Sequence, residues 1–556
     1  MARKFILVFL TVLLGYGSDA QTLYPIVETD LGYIQGLRAS DGDYFMFMGI
    51  PYATVNSSNP FAEAIPQTPF ETVFFAADDS ALCPQIEEFN QALAGTLNCL
   101  HLNIYVPKDV NPNNRLPVMV YIHGGGFSQG FAGRFMYGPK FLVRHDVILV
   151  TINYRLGPYG FMCLNIPEVP GNQGLKDQVL GLTWIKNNIQ AFGGDANKIT
   201  LFGESAGGMS VDFHLTAPHD VLVDKAILQS GTKLIPVAEP QKDAPQKLAA
   251  VLGYMTNDVY DALRHLSTVN SNSVILAASL TSIPFSPCVE KDFENVENFI
   301  TENWVQNTKL PKVKDMPLLI GYTDDEALGF YHDLHESMYE HLNVFNDTLN
   351  SVFDASDPSF EGMEQIVRRF YIGDEKMSES NKFSLADFQS DLIFNYPSYR
   401  SISRFLENEA GNIFYYIFSH TGERNFVKKR LNATEGGAFH ADELTYLFDM
   451  MLFNETPTAE DQLVIDRMTT MWTNFAKYGN PTPEVTTLLP VEWKPVTNGS
   501  AQFALDISSD LNLTTRPFNT RMAFWDIFYI LNGHLERLMS LGNSLINKMY
   551  SYQVKK

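Results

Sequence analysis

Basic residues are the first shortage. Forty Lys and Arg stand against 63 Asp and Glu, a formal net charge of −23, so the chain repels phosphates and no nucleic-acid partner is expected. No run of Lys or Arg suggests an anionic membrane surface either. Long apolar runs are missing beyond residues 5–14. That stretch falls short of the roughly 20 residues a bilayer span needs, so no membrane anchor is expected. Cysteine is sparse, at four, and no Cys-x-x-Cys pair suggests zinc. Internal repeats and low-complexity linkers are absent too. What remains is a 556-residue chain with 45% hydrophobic and 13% aromatic residues, a globular composition able to build a large core.

The N-terminus reads as a secretory leader. Arg3 and Lys4 precede the apolar stretch, and Ser18-Asp19-Ala20 offers small residues for cleavage after Ala20. The expected products are a signal peptide, residues 1–20, and a secreted, extracellular chain, residues 21–556, folded as one domain. An oxidising compartment suits the cysteines. Cys83 and Cys99 bracket a short polar loop before the strand-like run 102–106, so a local disulfide is expected there. Cys163 and Cys288 sit in apolar settings and read as buried free thiols. Sequons at Asn56, Asn346, Asn432, Asn454, Asn498 and Asn512 make the exported chain a candidate glycoprotein.

The most informative residues are Gly203-Glu204-Ser205-Ala206-Gly207-Gly208, between the strand-like 198–202 and a helix-forming stretch, 209–217. Glycine on both sides of a serine, between strand and helix, is a nucleophile elbow. The turn is so tight that only glycine tolerates the crowding, and it lifts the Ser205 hydroxyl toward the positive end of the next helix. Upstream, His123-Gly124-Gly125-Gly126-Phe127 follows the apolar strand 116–122. Glycine runs after a strand let N–H groups converge, which is what an oxyanion hole requires. The N–H groups of Gly125, Gly126 and Ala206 are the candidate donors. Together the motifs point to acyl transfer.

Strand-like runs at 116–122, 147–153, 199–202 and 226–229 alternate with helical stretches such as 173–192. Near-continuous apolar strands joined by helices imply an α/β fold, a large, mostly parallel sheet covered on both faces. Later strands are expected at 318–321 and 413–418. The intervals 235–313 and 329–410 read as mostly helical lids above the sheet, and 460–477 and 525–549 as further amphipathic helices.

A serine needs a base, and the base needs a carboxylate to orient it. After an elbow the expected order is Ser, then acid, then His. The strand 318–321 runs into Asp324, Asp325 and Glu326. Spacing does not choose among the three, and two of them read as solvated loop charges. Among downstream histidines, His332, His335 and His341 read as the polar face of one helix. The i,i+6 spacing of His335 and His341 puts their rings about 120° apart, against about 40° for a zinc-binding i,i+4 pair. His420 ends a strand. His440 follows a glycine-bearing loop and is preferred.

At this point the ordered motifs resemble the carboxylesterase/cholinesterase family of α/β-hydrolases. They include Phe47-Met48-Gly49-Ile50-Pro51-Tyr52-Ala53, Asn98-Cys99-Leu100-His101-Leu102-Asn103, the glycine loop, Asn153-Tyr154-Arg155, Pro170-Gly171-Asn172-Gln173-Gly174, the elbow, Leu228-Gln229-Ser230-Gly231 and His440-Ala441-Asp442-Glu443-Leu444. The resemblance implies an α/β-hydrolase with helical lids over a deep gorge. It also implies Glu326 as the acid, His440 as the base, a Cys83–Cys99 disulfide, Glu204 as the family's acidic residue before the nucleophile, and Ser230 as a support for the triad. The pattern is similar to secreted insect carboxylesterases.

Two departures narrow the substrate. The loop between Cys83 and Cys99 has no tryptophan, so the cation–π platform for choline is missing. Glu204 stands where juvenile hormone esterases usually carry glutamine. The expected activity is therefore hydrolysis of apolar aliphatic or aromatic esters through an acyl-enzyme, with no metal or organic cofactor. A small-molecule ester is the expected partner, and the chain is expected to be a monomer or weak homodimer. The competing classes are a catalytically silent adhesion or signalling protein on the same fold, and an acyltransferase.

Overall fold

The computed structural model describes residues 25–540 apart from 112–113, 221, 498–501 and 538. The expected signal peptide and the Asn498 sequon lie outside the described residues. The fold is organised by an 11-stranded sheet. In chain order its strands are β1 (Leu37–Arg38), β2 (Tyr44–Pro51), β3 (His101–Pro107), β4 (Leu116–Ile122), β5 (Ile148–Ile152), β6 (Gly194–Glu204), β7 (Lys225–Gln229), β8 (Leu318–Thr323), β9 (Ile413–Phe418), β10 (Phe503–Ile507) and β11 (Leu511–Thr515). Across the sheet they lie in the order β1-β2-β3-β5-β4-β6-β7-β8-β9-β10-β11. Neighbours from β5 to β10 are parallel, and antiparallel pairs close both edges.

Both faces of the sheet are covered. Val118, Val120 and Ile122 of β4 pack with Leu182 and Ile185 of α1 (Gln173–Asn188) and with Val211 and Phe213 of α2 (Ala206–His214). Met119 and Tyr121 point the other way, toward Val464, Met468 and Trp472 of α3 (Ala459–Tyr478). Burial on both sides is why these strands read as unbroken apolar runs. The ends of α3 are set locally. Thr458 caps its first turn by accepting from Asp461 N, and Gly479, at φ 67°, ends it by donating to Phe475 O.

Parallel pairing brings the carboxyl ends of the strands to one edge. Ile122 sits beside Gly203, Gly203 beside Leu228, Leu228 beside Ile320, and Ile320 beside Tyr415. After β4 the chain first builds β5 on one flank and then crosses to build β6 on the other. Strand order therefore reverses at β4, the kind of position where α/β sheets open a crevice. The loops after β4 and β6 face each other there.

The structure corrects several sequence expectations. Cys163 and Cys288 are not free thiols but a second disulfide beside Cys83–Cys99. Room for it comes from Gly171, at φ +131°, where a Cβ would lie 2.5 Å from Cys288 Sγ. Asn172 adds two hydrogen bonds to the Cys288 backbone. The interval 235–313 is helical only in its first part, through Ala244–Val251, Val259–Thr268 and Ser271–Thr281, while 282–310 is irregular and carries Cys288. His332, His335 and His341 do not share a helix, because the local helix is just Glu336–Tyr339 with His335 as its N-cap. The helix expected over 525–549 runs instead over Asn519–Asn532, where Asn532-Gly533, weak helix formers, close it. Met539–Ser540 then pair as a strand with Val237–Ala238, and residues 541–549 lie outside the described residues.

Candidate active site

Ser205 stands at the turn from β6 into α2 with φ 56° and ψ −124°, a left-handed conformation that costs a residue with a side chain on the order of 1–3 kcal/mol. Its neighbours show why the strain persists. Ser205 N donates to Gln229 O and Met209 N donates to Ser205 O, each at 2.9 Å. A Cβ at Gly207 would lie 2.0 Å from Ile122 O, and one at Gly203 would lie 2.5 Å from the Gly207 carbonyl carbon. The two glycines flanking the elbow therefore let α2 press against the end of β4. A Cβ on Gly124 would come within 3.1 Å of Ser205 Cβ, so the glycine loop lies directly against the serine.

That loop turns sharply, with Gly125 at φ +105° and Gly126 at φ +59°. His123 is stacked on Tyr154 at 4.5 Å between ring centroids, and its Nδ1 lies 2.9 Å from Gly124 O. Ala206 opens α2, and the N–H groups of a first helical turn have no acceptor within the helix. The residues expected to bear the three donors thus border Ser205 on two sides.

The acid side is built at the end of β8. Glu326, 1% exposed, accepts from Ser230 Oγ at 2.5 Å and from Thr323 N at 2.9 Å, both on Oε1. Its Oε2 is left to meet His440 Nδ1 at 2.5 Å. A carboxylate accepts, so Nδ1 donates, and Nε2 is the ring nitrogen whose proton can come and go. Nε2 lies 3.1 Å from Glu204 Oε1, on the residue that precedes Ser205. Phe394 lies over the imidazole at 4.7 Å. His420, the alternative base, is committed elsewhere, 3.1 Å from Asp461 Oδ1.

Charge is concentrated around His440. Burial pushes the Glu204 carboxyl up to about 8 against the pull of His440. Burial also works to lower His440, but Glu204 and then Glu326 outweigh it and hold the imidazole up to about 9. Glu443 is fully buried and pushed up to about 7, first by burial and then by Glu326. It accepts from Gln229 Nε2 at 3.0 Å.

Asp324 and Asp325 are not the solvated charges expected from sequence. Asp324 Oδ1 accepts from Ala438 N at 2.7 Å and Asp325 Oδ2 from Gly437 N at 2.5 Å. Burial, followed by the charge of Asp325, pushes Asp324 up to about 7. Lys428 Nζ donates to the carbonyls of Glu435, Gly436 and Gly437 at 2.8, 2.7 and 2.9 Å. Nothing in the sequence marked Lys428 or Glu443 individually. Of the sequons, Asn432, Asn454 and Asn512 are exposed, while Asn56 and Asn346 are half-buried. Among the described residues no His, Cys, Asp and Glu group is arranged to hold a metal ion, and no helix is long and apolar enough to cross a membrane.

A large, mostly parallel sheet with helices on both faces, and an elbow serine at its carboxyl edge, defines an α/β-hydrolase. A sequence model of the carboxylesterase family matches residues 24–525, and the chain belongs to that family. It is similar to a juvenile hormone esterase of Tribolium castaneum, at 32% identity over 83% of this chain and 84% of the relative. It is similar to esterase FE4 of Myzus persicae, at 31% identity over 86% and 88%. Among solved structures it resembles the juvenile hormone esterase of Manduca sexta with OTFP covalently attached. That likeness has a TM-score of 0.79 and 26% identity, and covers 91% of this chain and 100% of the other. The protein is a carboxylic ester hydrolase acting on a small-molecule ester.

Proposed function

We propose that the protein is a secreted serine esterase in which Ser205 is the nucleophile, His440 the base and Glu326 the acid that orients it. The observation carrying this reading is the continuous line of side chains from Glu326 through the His440 ring to Glu204, the residue before Ser205: 2.5 Å at Nδ1, and 3.1 Å from Nε2 to Glu204 Oε1. Ser205 Oγ attacks the ester carbonyl carbon while its proton passes to His440 Nε2. The carbonyl oxygen becomes an oxyanion facing the N–H groups of Gly125, Gly126 and Ala206, each worth roughly 3 kcal/mol in the transition state. Collapse breaks the bond to the alcohol, which leaves with the proton from Nε2. Water then repeats the sequence on the acyl-enzyme, releasing the acid and restoring Ser205. Ser230 fixes the Glu326 rotamer, and Glu204 stabilises the imidazolium.

Apolar esters suit the aromatic ring beside the chemistry, Phe394 against His440. Two relatives are named for juvenile hormone, but Glu204 departs from the glutamine usual in such esterases, so that ester enters the panel beside simpler apolar esters. The Cys83–Cys99 disulfide and the exposed sequons suit export and glycosylation. The test is hydrolysis of an activated acetate ester and of a panel graded by acyl and alcohol length. Ser205→Ala and His440→Ala, with folding verified by circular dichroism, are expected to lose turnover on every ester. Retention of hydrolysis by Ser205→Ala would remove Ser205 as the nucleophile.

A further inference from the structure

We infer that Asp324 and Asp325 are positioning residues for His440: with Lys428 they clasp the loop 435–438 so that the imidazole stands at hydrogen-bond distance from Glu326. The inference rests on the assignment of Ser205, His440 and Glu326 as the reacting groups. Three consecutive side chains at the end of β8 address one short stretch of chain. Asp324 takes Ala438 N at 2.7 Å, Asp325 takes Gly437 N at 2.5 Å, and Glu326 takes His440 Nδ1 at 2.5 Å. Asp325 N closes the ladder by donating to Ala438 O at 3.0 Å. The acid and the anchors of its histidine therefore belong to the same rigid strand end, and any slip of the loop lengthens the Glu326 contact directly.

The approach is close because the loop carries glycines. A Cβ on Gly437 would lie 2.3 Å from both Asp324 carboxyl oxygens, and one on Gly436 would lie 2.1 Å from Leu328 Cδ2 and 3.0 Å from Asp325 Oδ2. From the opposite side, Lys428 Nζ gathers the carbonyls of residues 435, 436 and 437 and lies 4.7 Å over the Phe439 ring. The amides thus face two carboxylates and the carbonyls face one ammonium. Upstream, Asn432, Thr434, Glu435 and Gly436 are exposed, so packing alone does not hold this stretch. Charged groups around the clasp are Asp442, which accepts from Phe439 N and Val427 N, Glu435 near Lys428 and ion-paired with Lys382, Asp506 near Asp324, and Asp387 and Arg521 near Asp325. Those facing His440 are Glu204, Glu326 and Glu443.

The test compares kcat, KM and the pH profile of kcat/KM on an activated acetate ester for the full chain and four variants. These are Asp324→Ala/Asp325→Ala, Asp324→Asn/Asp325→Asn, Lys428→Met and Ser205→Ala. The alanine pair is expected to lower kcat about 100-fold, the loss that a displacement near 1 Å brings, with KM within about threefold. Its acid limb moves to lower pH, because an imidazole drawn away from Glu326 holds its proton less tightly. The asparagine pair keeps an acceptor oxygen at each amide and stays within about fivefold of wild type. Lys428→Met moves kcat and the acid limb in the same directions as the alanine pair, and decides the matter if that pair does not fold. Wild-type kcat in the alanine pair, or lower kcat with an unmoved limb, overturns the inference. So does an asparagine pair as impaired as the alanine pair. Hydrolysis by Ser205→Ala would instead sink the triad, whereas a dead Ser205→Ala beside an unaffected alanine pair sinks only the clasp.

Discussion

The two halves of the site are built by different physics. The serine half is local: Gly203, Ser205 and Gly207 lie within five residues, and the turn exists because neither glycine carries a Cβ, which would come within 3 Å of neighbouring backbone. The histidine half is long-range. Glu326 and His440 are 114 residues apart in sequence, and side-chain hydrogen bonds from Asp324, Asp325, Lys428 and Asp442 hold the loop that joins them to the sheet. Local steric necessity leaves a signature in residue type. A long-range hydrogen-bond lattice is visible only once the strands are in register.

The largest expected effect breaks the long-range half. Glu326→Gln supplies the wrong hydrogen-bonding partner at His440 Nδ1 and is expected to cost about 10⁴-fold in kcat, as loss of the orienting carboxylate does in other triads. Steady-state kinetics on an activated ester checks this. A loss below tenfold would mean that the histidine is held without its acid.

The disulfides carry the same contrast. Cys83–Cys99 spans 16 residues and Cys163–Cys288 spans 125. Chain-entropy arithmetic gives about 3 kcal/mol for the short loop and about 5 kcal/mol for the long one. Serine pairs at each bridge, compared by urea unfolding, are expected to rank in that order. The reverse ranking would show that native contacts, not loop closure, dominate.

On the local half, Gly207→Ala puts a methyl group 2.0 Å from Ile122 O. The expected cost is about 1–3 kcal/mol of overpacking, read as a lower unfolding midpoint together with loss of turnover. The smallest change sharpens the junction of the two halves. In the proposed mechanism His440 accepts a proton only when Nε2 is unprotonated, so activity is expected to fall as pH drops through its pKa. Glu204 raises that pKa. Glu204→Gln is therefore expected to move the acid limb of kcat/KM to lower pH, with the plateau changed less than by Glu326→Gln. A limb that stays in place would remove Glu204 from the electrostatics of the base.

The sequence carried the central strands well because they are buried on both faces. The apolar runs at 116–122 and 413–418 coincide with β4 and β9, while β6 extends beyond the expected run at both ends. The strands toward the two edges, β1, β2, β10 and β11, went unanticipated. β10 and β11 are short and only partly buried, and β2 gains its order from pairing with β3. Ser205, the glycine loop and the bracketed Cys83–Cys99 loop were legible because their chemistry is local. Spacing could not choose Glu326 over Asp324 and Asp325, since all three leave the same strand end. Resemblance supplied that choice, and the geometry gives each carboxylate a distinct partner. Cys163 and Cys288 looked like isolated apolar thiols because a sequence separation of 125 hides their meeting.

The most direct measurement is peptide mapping by mass spectrometry of the protein after reaction with a fluorophosphonate. One adduct per chain is expected on the peptide containing Ser205, formed faster as pH rises toward 9 and slowed by orders of magnitude in His440→Ala. An adduct on another residue, or equally fast labelling without His440, would contradict it.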